Sequence, residues 1–266
     1  MNKYFELRGK LSERDTVQIE IVGAILALLL WHLVAISQLI PKGILPPPLK
    51  VLTAFRDLWL GDGLFWHALI SIKLNVLGYV EAVAFCVPVG FLLGLFPLPG
   101  ALSQRLLSSM RGLPLPAVMG IFIAAFGIGT AMKVHFLAVG IIVYLLPTVV
   151  NRVGETPEVY DQMIRTLGAT TWQRIRYVFI PDVLSRVFND ISVLIALSWT
   201  YITISEVINS RQGGLGALAY AASRQSRIDK IYAVVILILA IIWVQDWLMK
   251  WIERSLFAFK YKEART

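Results

Sequence analysis

Six strongly apolar stretches alternate with polar segments along the chain. They lie at about residues 17–40, 67–96, 114–126, 134–150, 184–208 and 231–251. A helix needs about 20 apolar residues to cross the hydrocarbon core of a bilayer. The two shorter stretches, 114–126 and 134–150, contain or border proline and glycine, and we expect bent helices there. The pattern predicts an all-α polytopic membrane protein with about six transmembrane helices.

The composition supports a chain that lies largely within the membrane. Of its 266 residues, 57% are hydrophobic and 16% are charged, and the mean hydropathy is +0.70. Soluble domains carry about 25% charged residues. Six helices use most of the length, which leaves no room for a separate catalytic domain. The single Cys86 excludes an internal disulfide bond, and His32, His67 and His135 lack metal-ligand spacing, so we expect no metal site.

Basic residues predict the orientation of the helices. A net charge of +8 raises nucleic acid as a partner, but lysine and arginine also collect in the cytoplasmic segments of membrane proteins, and we favour that explanation. The expected cytoplasmic segments are 1–17, 97–113, 151–183 and 252–266. We therefore predict cytoplasmic tails at 1–17 and 252–266 around a transmembrane domain, 18–251. Pro41 and Pro46 follow the first apolar run where a cleavage site would stand, so we expect that run to remain as an anchor.

The second predicted span carries a small residue at every fourth position. These residues are Gly78, Ala82, Cys86, Gly90 and Gly94. Small side chains at this spacing let another helix approach closely, and close packing drives helix association in lipid. We favour helix packing over chance, although such spans are rich in glycine and alanine. Glu81, in the same span, is either a functional group or a buried hydrogen-bond partner.

Two segments are predicted to lie at the outer surface. After a triple proline at 46–48, residues 51–60 have helical spacing and predict a short amphipathic helix. Its apolar side would carry Val51, Leu52, Phe55, Leu58 and Trp59. Residues 209–230, which contain Gly213, Gly214 and Gly216, are predicted as a polar loop.

The most polar connection is residues 151–183, between the fourth and fifth predicted spans. A helix that begins at Pro157 and turns at Gly168 would be followed by a second helix, 172–179, which Thr170 or Thr171 can cap and Pro181 ends. The first helix exposes Tyr160, Met163 and Ile164 among charged residues. Exposed apolar groups surrounded by charge indicate a contact site, although the helix could instead rest on lipid headgroups.

These residues resemble a known family. QMIRTLG, then VFIP after nine further residues, resembles the cytoplasmic loop of binding-protein-dependent ABC importer permeases, with Gln162, Met163 and Ile164 where the family has Glu-Ala-Ala. ILPPPLKVLTAF, RGLPLPAVMGIFIAAFGIGTAMK and SWTYITISEVINSRQGGLGALAYAASRQSRIDKIYA resemble segments of the branch that handles nitrate, sulfonates, taurine and bicarbonate. Together the similar segments cover about residues 40–250, in the family's order.

The resemblance implies a type I importer permease in the inner membrane of a prokaryote, built as a pair of identical chains. A separate ATPase would bind the cytoplasmic loop, and a periplasmic or lipid-anchored solute-binding protein would deliver a small anionic solute. The residues expected at the ATPase are Glu158, Tyr160, Gln162, Met163, Ile164, Gly168 and Pro181. The chain has no G-x-x-x-x-G-K-[ST] phosphate loop, so we expect ATP and Mg²⁺ on the ATPase and no cofactor or catalytic residue here.

The fifth predicted span is the best candidate for the translocation pathway. Small and polar residues share one of its faces: Asn189, Ser192, Ala196, Trp199, Thr203 and Glu206. Such a face avoids lipid, and packing between two copies explains it equally well. We expect Glu206 at an outer gate or at the binding protein.

Two other functions are considered. An ion-coupled secondary transporter usually shows inverted repeats and charges within its spans, of which only Glu81 is seen. A membrane-embedded enzyme would need a metal-ligand pair, a nucleophile or a carboxylate pair, none of which the predicted spans contain.

Overall fold

The computed structural model describes residues 11–37, 39–41 and 43–261, and all the regular structure in that part is helical. The helices are α1 (Glu13–Ile36), α2 (Pro48–Leu60), α3 (Leu64–Leu95), α4 (Pro97–Met110), α5 (Met119–Phe126), α6 (Thr130–Gly154), α7 (Glu158–Thr166), α8 (Thr171–Arg174), α9 (Ile180–Ile208), α10 (Leu215–Arg224) and α11 (Ile228–Leu256). Five helical segments within this part can cross a membrane, and a bent sixth can be added. The all-α polytopic prediction is confirmed.

The pair α3 and α6 forms the centre of the bundle. Side chains of α6 lie directly over the glycines of α3: Leu137 over Gly78, Val149 over Gly90 and Val153 over Gly94. Each pair is separated by the same number of residues along the chain, so the two helices run in the same direction.

The predicted row of small residues lies at this junction. Ala82 and Cys86 are fully buried, Gly78 and Gly90 are buried, and Gly94 is partly buried. A Cβ added to Gly90 would lie 2.5 Å from the Cγ1 atom of Val149, so any side chain there would force the helices apart. The missing side chains permit the close approach that stabilises helix pairs in lipid.

The helix α9 runs antiparallel to α6. At one end Arg152 binds Asp190, with its Nε atom 2.7 Å from Oδ2. Near the other end the Lys133 Nζ atom donates to the carbonyl oxygen of Asn209 at 3.1 Å. The helix α11 in turn runs antiparallel to α9, and the Trp199 indole donates to the Gln245 side chain at 2.8 Å between them.

The chain returns between the parallel helices α3 and α6 through a bent pair. The predicted polar connection 97–113 is in fact mostly the helix α4, which meets the next helical segment, Leu115–Phe126, at an angle of 100°. Pro97 can start α4 because the first turn of a helix needs no N–H from that residue. The predicted span 114–126 is a 3-10 turn followed by the eight-residue α5.

The prediction that Pro181 ends a helix is wrong. The helical segment Thr171–Ile208 continues through it, with a π turn at Ile175–Phe179 directly before. In that turn the N–H of Ile180 donates to the carbonyl oxygen of Ile175, five residues back. A π turn contains one residue more than an α turn and so shifts the register of the backbone hydrogen bonds. The shift comes directly before Pro181, whose nitrogen cannot donate a hydrogen bond, and the helix continues through it.

The predicted outer loop 209–230 instead contains the helix α10. Buried acceptors satisfy the first N–H groups of α10: the Leu215 N–H donates to Ser71 Oγ at 2.8 Å, and the Gly216 N–H donates to Glu206 Oε2 at 2.7 Å. Gly214 has φ +110° and lies directly against the Glu206 carboxylate, which leaves no room for a Cβ. The sequence placed these glycines in a polar loop, whereas in the structure Gly214 and Gly216 permit close packing.

Three predicted boundaries or faces also change. The helix α11 extends to Leu256, into the predicted C-terminal tail, while residues 1–10 and 262–266 of the two tails lie outside the described residues. The predicted first span 17–40 is observed as Glu13–Ile36. The buried side of α2 consists of Val51, Ala54 and Leu58, whereas Leu52 and Trp59 are exposed. The helix α2 packs on α11, which selects that side.

Candidate functional site

The segment between α6 and α9 protrudes from the end of the bundle where α3 and α6 finish. The helix α7 follows α6 after a short turn, with Pro157 at its N-cap. Large apolar side chains cover its outer surface: Val159, Tyr160, Met163 and Leu167 are between 52% and 78% exposed. A solvent-facing helix does not retain so much apolar surface unless another surface covers it. This outer surface of α7 is therefore the best candidate for a contact site.

The helix α7 is held against α8 by one carboxylate. Asp161 accepts two hydrogen bonds from Arg174, at 2.6 and 2.7 Å, and lies 3.0 Å from Arg165. The hydrogen bond from Arg174 is the main cause that holds the pKa of Asp161 below its ordinary value. Sequence reasoning missed Asp161. Its spacing of thirteen residues from Arg174 fits neither a helix nor a strand, because Gly168 reverses the chain between them.

Gly168 makes this reversal possible. Its φ of +74° lies in the left-handed region, and a Cβ added there would meet no atom within 4 Å. The requirement for glycine is therefore conformational and not steric. Thr170 then caps α8 in a reciprocal arrangement with Gln173, as the sequence predicts for Thr170.

The Asp161 contact should maintain the shape of the segment near neutral pH. Because the folded pKa is lowered, the stabilisation is present above the unfolded pKa of about 4 and is lost as the pH falls through the folded value. We expect Asp161→Asn at pH 7 to speed amide hydrogen exchange in residues 158–174 about 10-fold, since hydrogen bonds to charged groups contribute about 1.5–3 kcal/mol. Glu158→Gln is the control. Unchanged exchange in Asp161→Asn would contradict the role of this contact.

A charged cluster joins the segment to both adjoining spans. Arg152, at the end of α6, binds Asp190 of α9 through two hydrogen bonds of 2.7 and 2.8 Å and also binds Glu155 at 2.7 Å. Arg186 of α9 donates to the carbonyl oxygen of Glu155 at 3.3 Å and pairs with Asp182. A force applied to α7 therefore reaches α6 and α9 together, through paired charges as well as through the backbone.

The residues predicted for the ATPase contact divide into three groups. Tyr160, Met163, Ile164 and Pro181 line a common open cleft of about 680 Å³ between α7 and the start of α9. Gln162 lies outside this cleft and donates to Glu158 at 3.1 Å along the exposed side of α7. Gly168 forms the turn.

The residues predicted for the pathway do not share one open face. Trp199 is 2% exposed and Glu206 is fully buried, so neither lines an open surface of the described chain. Ser192 and Thr203 are partly buried, and their hydroxyls bond to backbone carbonyls of their own helix. Asn189 is exposed. The open face of α9 consists of Asn189, Val193, Ala196, Thr200 and Val207.

Glu206 is a structural residue at the far end of the bundle. It accepts hydrogen bonds from Ser71 at 2.6 Å and from the N–H of Gly216, and thereby joins α3, α9 and α10. The whole Glu206 side chain is enclosed, so this chain offers no surface there for a binding protein, and a role of Glu206 at an outer gate stays a prediction. The polar face of α9 was assigned from helical spacing alone. Helical spacing does not show that α10 and α11 cover part of that face, at Glu206 and Trp199.

Polar groups elsewhere in the described residues do not assemble into a metal site, since no three His, Cys, Asp or Glu side chains come together suitably. Glu81 binds the Nδ1 atom of His135 at 2.7 Å, between α3 and α6. Glu81 is thus a hydrogen-bond partner, but its side chain is 39% exposed and not buried as that alternative supposed.

Known permeases are similar to this chain over nearly its whole length. The chain is 25% identical to the taurine transport system permease protein of Escherichia coli over 254 residues, which are 94% of this chain and 91% of that protein. It is 24% identical to the bicarbonate transport system permease protein of Synechococcus elongatus over 257 residues, 91% of each. Both relatives are permeases of transport systems, as the sequence resemblance implied.

The fold has solved counterparts. The MetNI methionine ABC transporter in an inward-facing conformation includes a chain with a TM-score of 0.62 and 20% identity, which covers 75% of this chain and 97% of that chain. A chain of an amino acid ABC transporter gives a TM-score of 0.53 over 73% of this chain and 92% of that chain, at 20% identity. The type I importer permease fold is thus confirmed.

The part of the chain that matches a known protein family includes most of the candidate site described above. Residues 86–258 match the family described as binding-protein-dependent transport system inner membrane component, and this range includes the segment between α6 and α9. The match favours an ABC permease over an ion-coupled secondary transporter. The chain belongs to the binding-protein-dependent transport system inner membrane components and is a permease of the ABC importer class.

Proposed function

We propose that two copies of this chain form the pathway of an ATP-driven importer for a small anion of the sulfonate or bicarbonate type. The single observation that carries the coupling role is the exposed apolar surface of α7, held to both spans by the Arg152 cluster. Permeases of this fold work with ATPase subunits and solute-binding proteins. In this proposal α7 binds a groove on the ATPase.

In this proposal each subunit of the transporter has a separate role. ATP and Mg²⁺ bind on the ATPase subunit, and the permease itself performs no chemical step. Its spans supply the pathway, and the solute-binding protein delivers solute to the end of the bundle opposite α7, where α10 and the ends of α3 and α9 lie. Because Val159, Tyr160, Met163 and Leu167 are apolar, we expect an apolar groove on the ATPase.

The substrate class rests on the relatives and on the scarcity of free carboxylates. The permeases compared above carry names for taurine and bicarbonate, and both solutes bear an acidic group. Within the described parts of α3, α6 and α9, Glu81, Glu206 and Asp190 are each bound to a partner side chain. Bound carboxylates repel an anion less than free ones do.

The test is uptake into proteoliposomes that contain the permease, its ATPase and its binding protein. We expect labelled taurine, ethanesulfonate or bicarbonate to accumulate only when ATP is present on the ATPase side. An ionophore that collapses ion gradients should not change this uptake. Accumulation without ATP that the ionophore abolishes would contradict the proposal and support a secondary transporter.

A further inference from the structure

A polar cavity lies beside the segment between α6 and α9 and has not been assigned a role above. Its volume is about 660 Å³, and its walls come from the ends of α3 and α6 and from α4. The polar lining residues are Gln104, Ser108, Arg111, Asn151 and Glu155. The cavity opens at the same end of the bundle as α7, which is the cytoplasmic end in the predicted orientation.

Arg111 brings to this cavity a guanidinium group that is paired with no carboxylate of the described residues. Within the described residues its guanidinium group donates one long hydrogen bond, of 3.5 Å from Nη2 to the hydroxyl of Thr148. No carboxylate of the described chain lies within 4 Å of it, whereas Arg152, Arg174 and Arg186 each bind one. A guanidinium group with free donors is suited to two oxygen atoms of one anion.

Neutral donors accompany this charge. The side-chain amides of Gln104 and Asn151 face the cavity from α4 and α6, and the structure gives neither a hydrogen-bond partner within its described residues. The hydroxyl of Ser108 is engaged, since it donates to the carbonyl oxygen of Gln104 at 2.8 Å. Two amides and one guanidinium therefore remain for a ligand.

The carboxylate at the cavity edge does not cancel this preference. Glu155 lies 2.7 Å from Arg152 and 3.7 Å from Arg186, so its carboxylate is engaged by two arginines. The same arginines also bind Asp190 and Asp182, so this cluster keeps one net negative charge. Gly154 also lines the cavity, and a Cβ added there would meet no atom within 4 Å, so this part of the wall carries no side chain that would fill the space. The free donors of Arg111, Gln104 and Asn151, rather than the net charge of the walls, favour an oxoanion over a cation.

We propose that this cavity binds the transported oxoanion as it leaves on the cytoplasmic side, with Arg111 as the principal charged contact and Gln104 and Asn151 as neutral donors. The proposal rests on the proposed import of a small anion. An occupant would connect α4 to the last turns of α6, immediately before the segment that carries α7. The cavity is thus a release site next to the contact that receives the ATPase.

The experiment uses the complete complex of permease and ATPase in lipid nanodiscs. Sulfate, ethanesulfonate and bicarbonate are added separately at constant ionic strength, and binding is measured by titration calorimetry and by amide exchange in residues 104–112 and 147–154. We expect at least one anion to bind and to protect both segments. Chloride at the same ionic strength should not protect them.

Matched variants locate the site. Arg111→Gln should raise the half-saturating anion concentration about 10-fold or more, because it removes a charge-assisted contact, and Arg111→Lys should recover part of the loss. Arg105→Gln, on an exposed part of α4 outside the cavity, should bind as the wild type does. Equal binding by Arg111→Gln and the wild type, or protection of neither segment, would overturn the proposal.

The two proposals fail in different ways. If the complete transporter imports an anion with ATP but that anion does not bind through Arg111, the release site is wrong and the function stands. If no anion is imported, the proposed function fails, whatever binds at the cavity. Cavity residues covered by the ATPase in the complex, seen as exchange protection without any anion, would also count against the release site.

Discussion

Replacement of Gly168 by valine should leave the permease folded and inserted but reduce import per ATP hydrolysed about 10-fold. Valine in the left-handed region costs about 1–3 kcal/mol, which the segment can avoid only by changing the direction of α7 relative to α8. The Asp161–Arg174 contact would then be lost or misplaced. Uptake and ATP hydrolysis, measured in the same proteoliposomes, give the ratio directly.

Two further substitutions separate the conformational cause from a simple loss of space. Gly168→Asn should retain most of the coupling, because asparagine tolerates positive φ much better than valine does. Gly120→Val tests a glycine in α5 whose added Cβ meets no atom within 4 Å and whose φ is not positive, and it should behave as the wild type. Normal coupling in Gly168→Val would show that the turn does not set the orientation of α7.

Replacement of Gly90 by leucine should destabilise the whole bundle. The side chain would enter the junction of α3 and α6, where even a Cβ lies 2.5 Å from Val149, and overpacking of this kind costs about 1–3 kcal/mol or more. We expect a lower midpoint of thermal unfolding in detergent and less folded protein in the membrane. Size-exclusion profiles after graded heating provide the measurement.

The junction also offers a rescue and a control. Val149→Ala removes Cγ1, the atom nearest to Gly90, and leaves the Cβ atom in place, so the double variant Gly90→Leu/Val149→Ala should recover only part of the stability, with a coupling energy of about 0.5–3 kcal/mol. Gly23→Leu, in α1, adds the same side chain where the added Cβ meets nothing within 4 Å and should be neutral. Equal losses in Gly90→Leu and Gly23→Leu would argue against a packed junction.

The sequence predicted those features of the fold that depend on residues close together along the chain. Lengths of apolar sequence indicated the long spans, because each residue in lipid must hide its backbone polar groups within a helix. The spacing of Gly78, Ala82 and Gly90 indicated a close junction, because this property belongs to one face of one helix. The turn at Gly168 and the cap at Thr170 followed from residue conformational preference in the same way.

The features that sequence reasoning missed depend on which elements meet. Helical spacing places Trp199 and Glu206 on the same face of α9 as Thr203. In the structure α11 covers Trp199 and α10 covers Glu206, whereas another side of α9 stays open. In the sequence, Gly214 and Gly216 are typical of a loop. In the structure Gly214 lies against the Glu206 carboxylate, which accepts a hydrogen bond from the N–H of Gly216 in α10. Asp161 and Arg174 become partners only after the chain reverses. None of these relations is periodic, so no window of sequence contains them.

The parallel direction of α3 and α6 has a consequence for biogenesis. No tight connection can join two helices that run the same way, so their junction forms only after the intervening return and α6 itself have been synthesised. At about 5–20 residues per second, the roughly 60 residues between the end of α3 and the end of α6 take about 3–12 s to emerge. During that interval the glycine face of α3 contacts lipid or an insertion factor. The central junction of the permease therefore forms tens of residues of synthesis after α3 itself is complete.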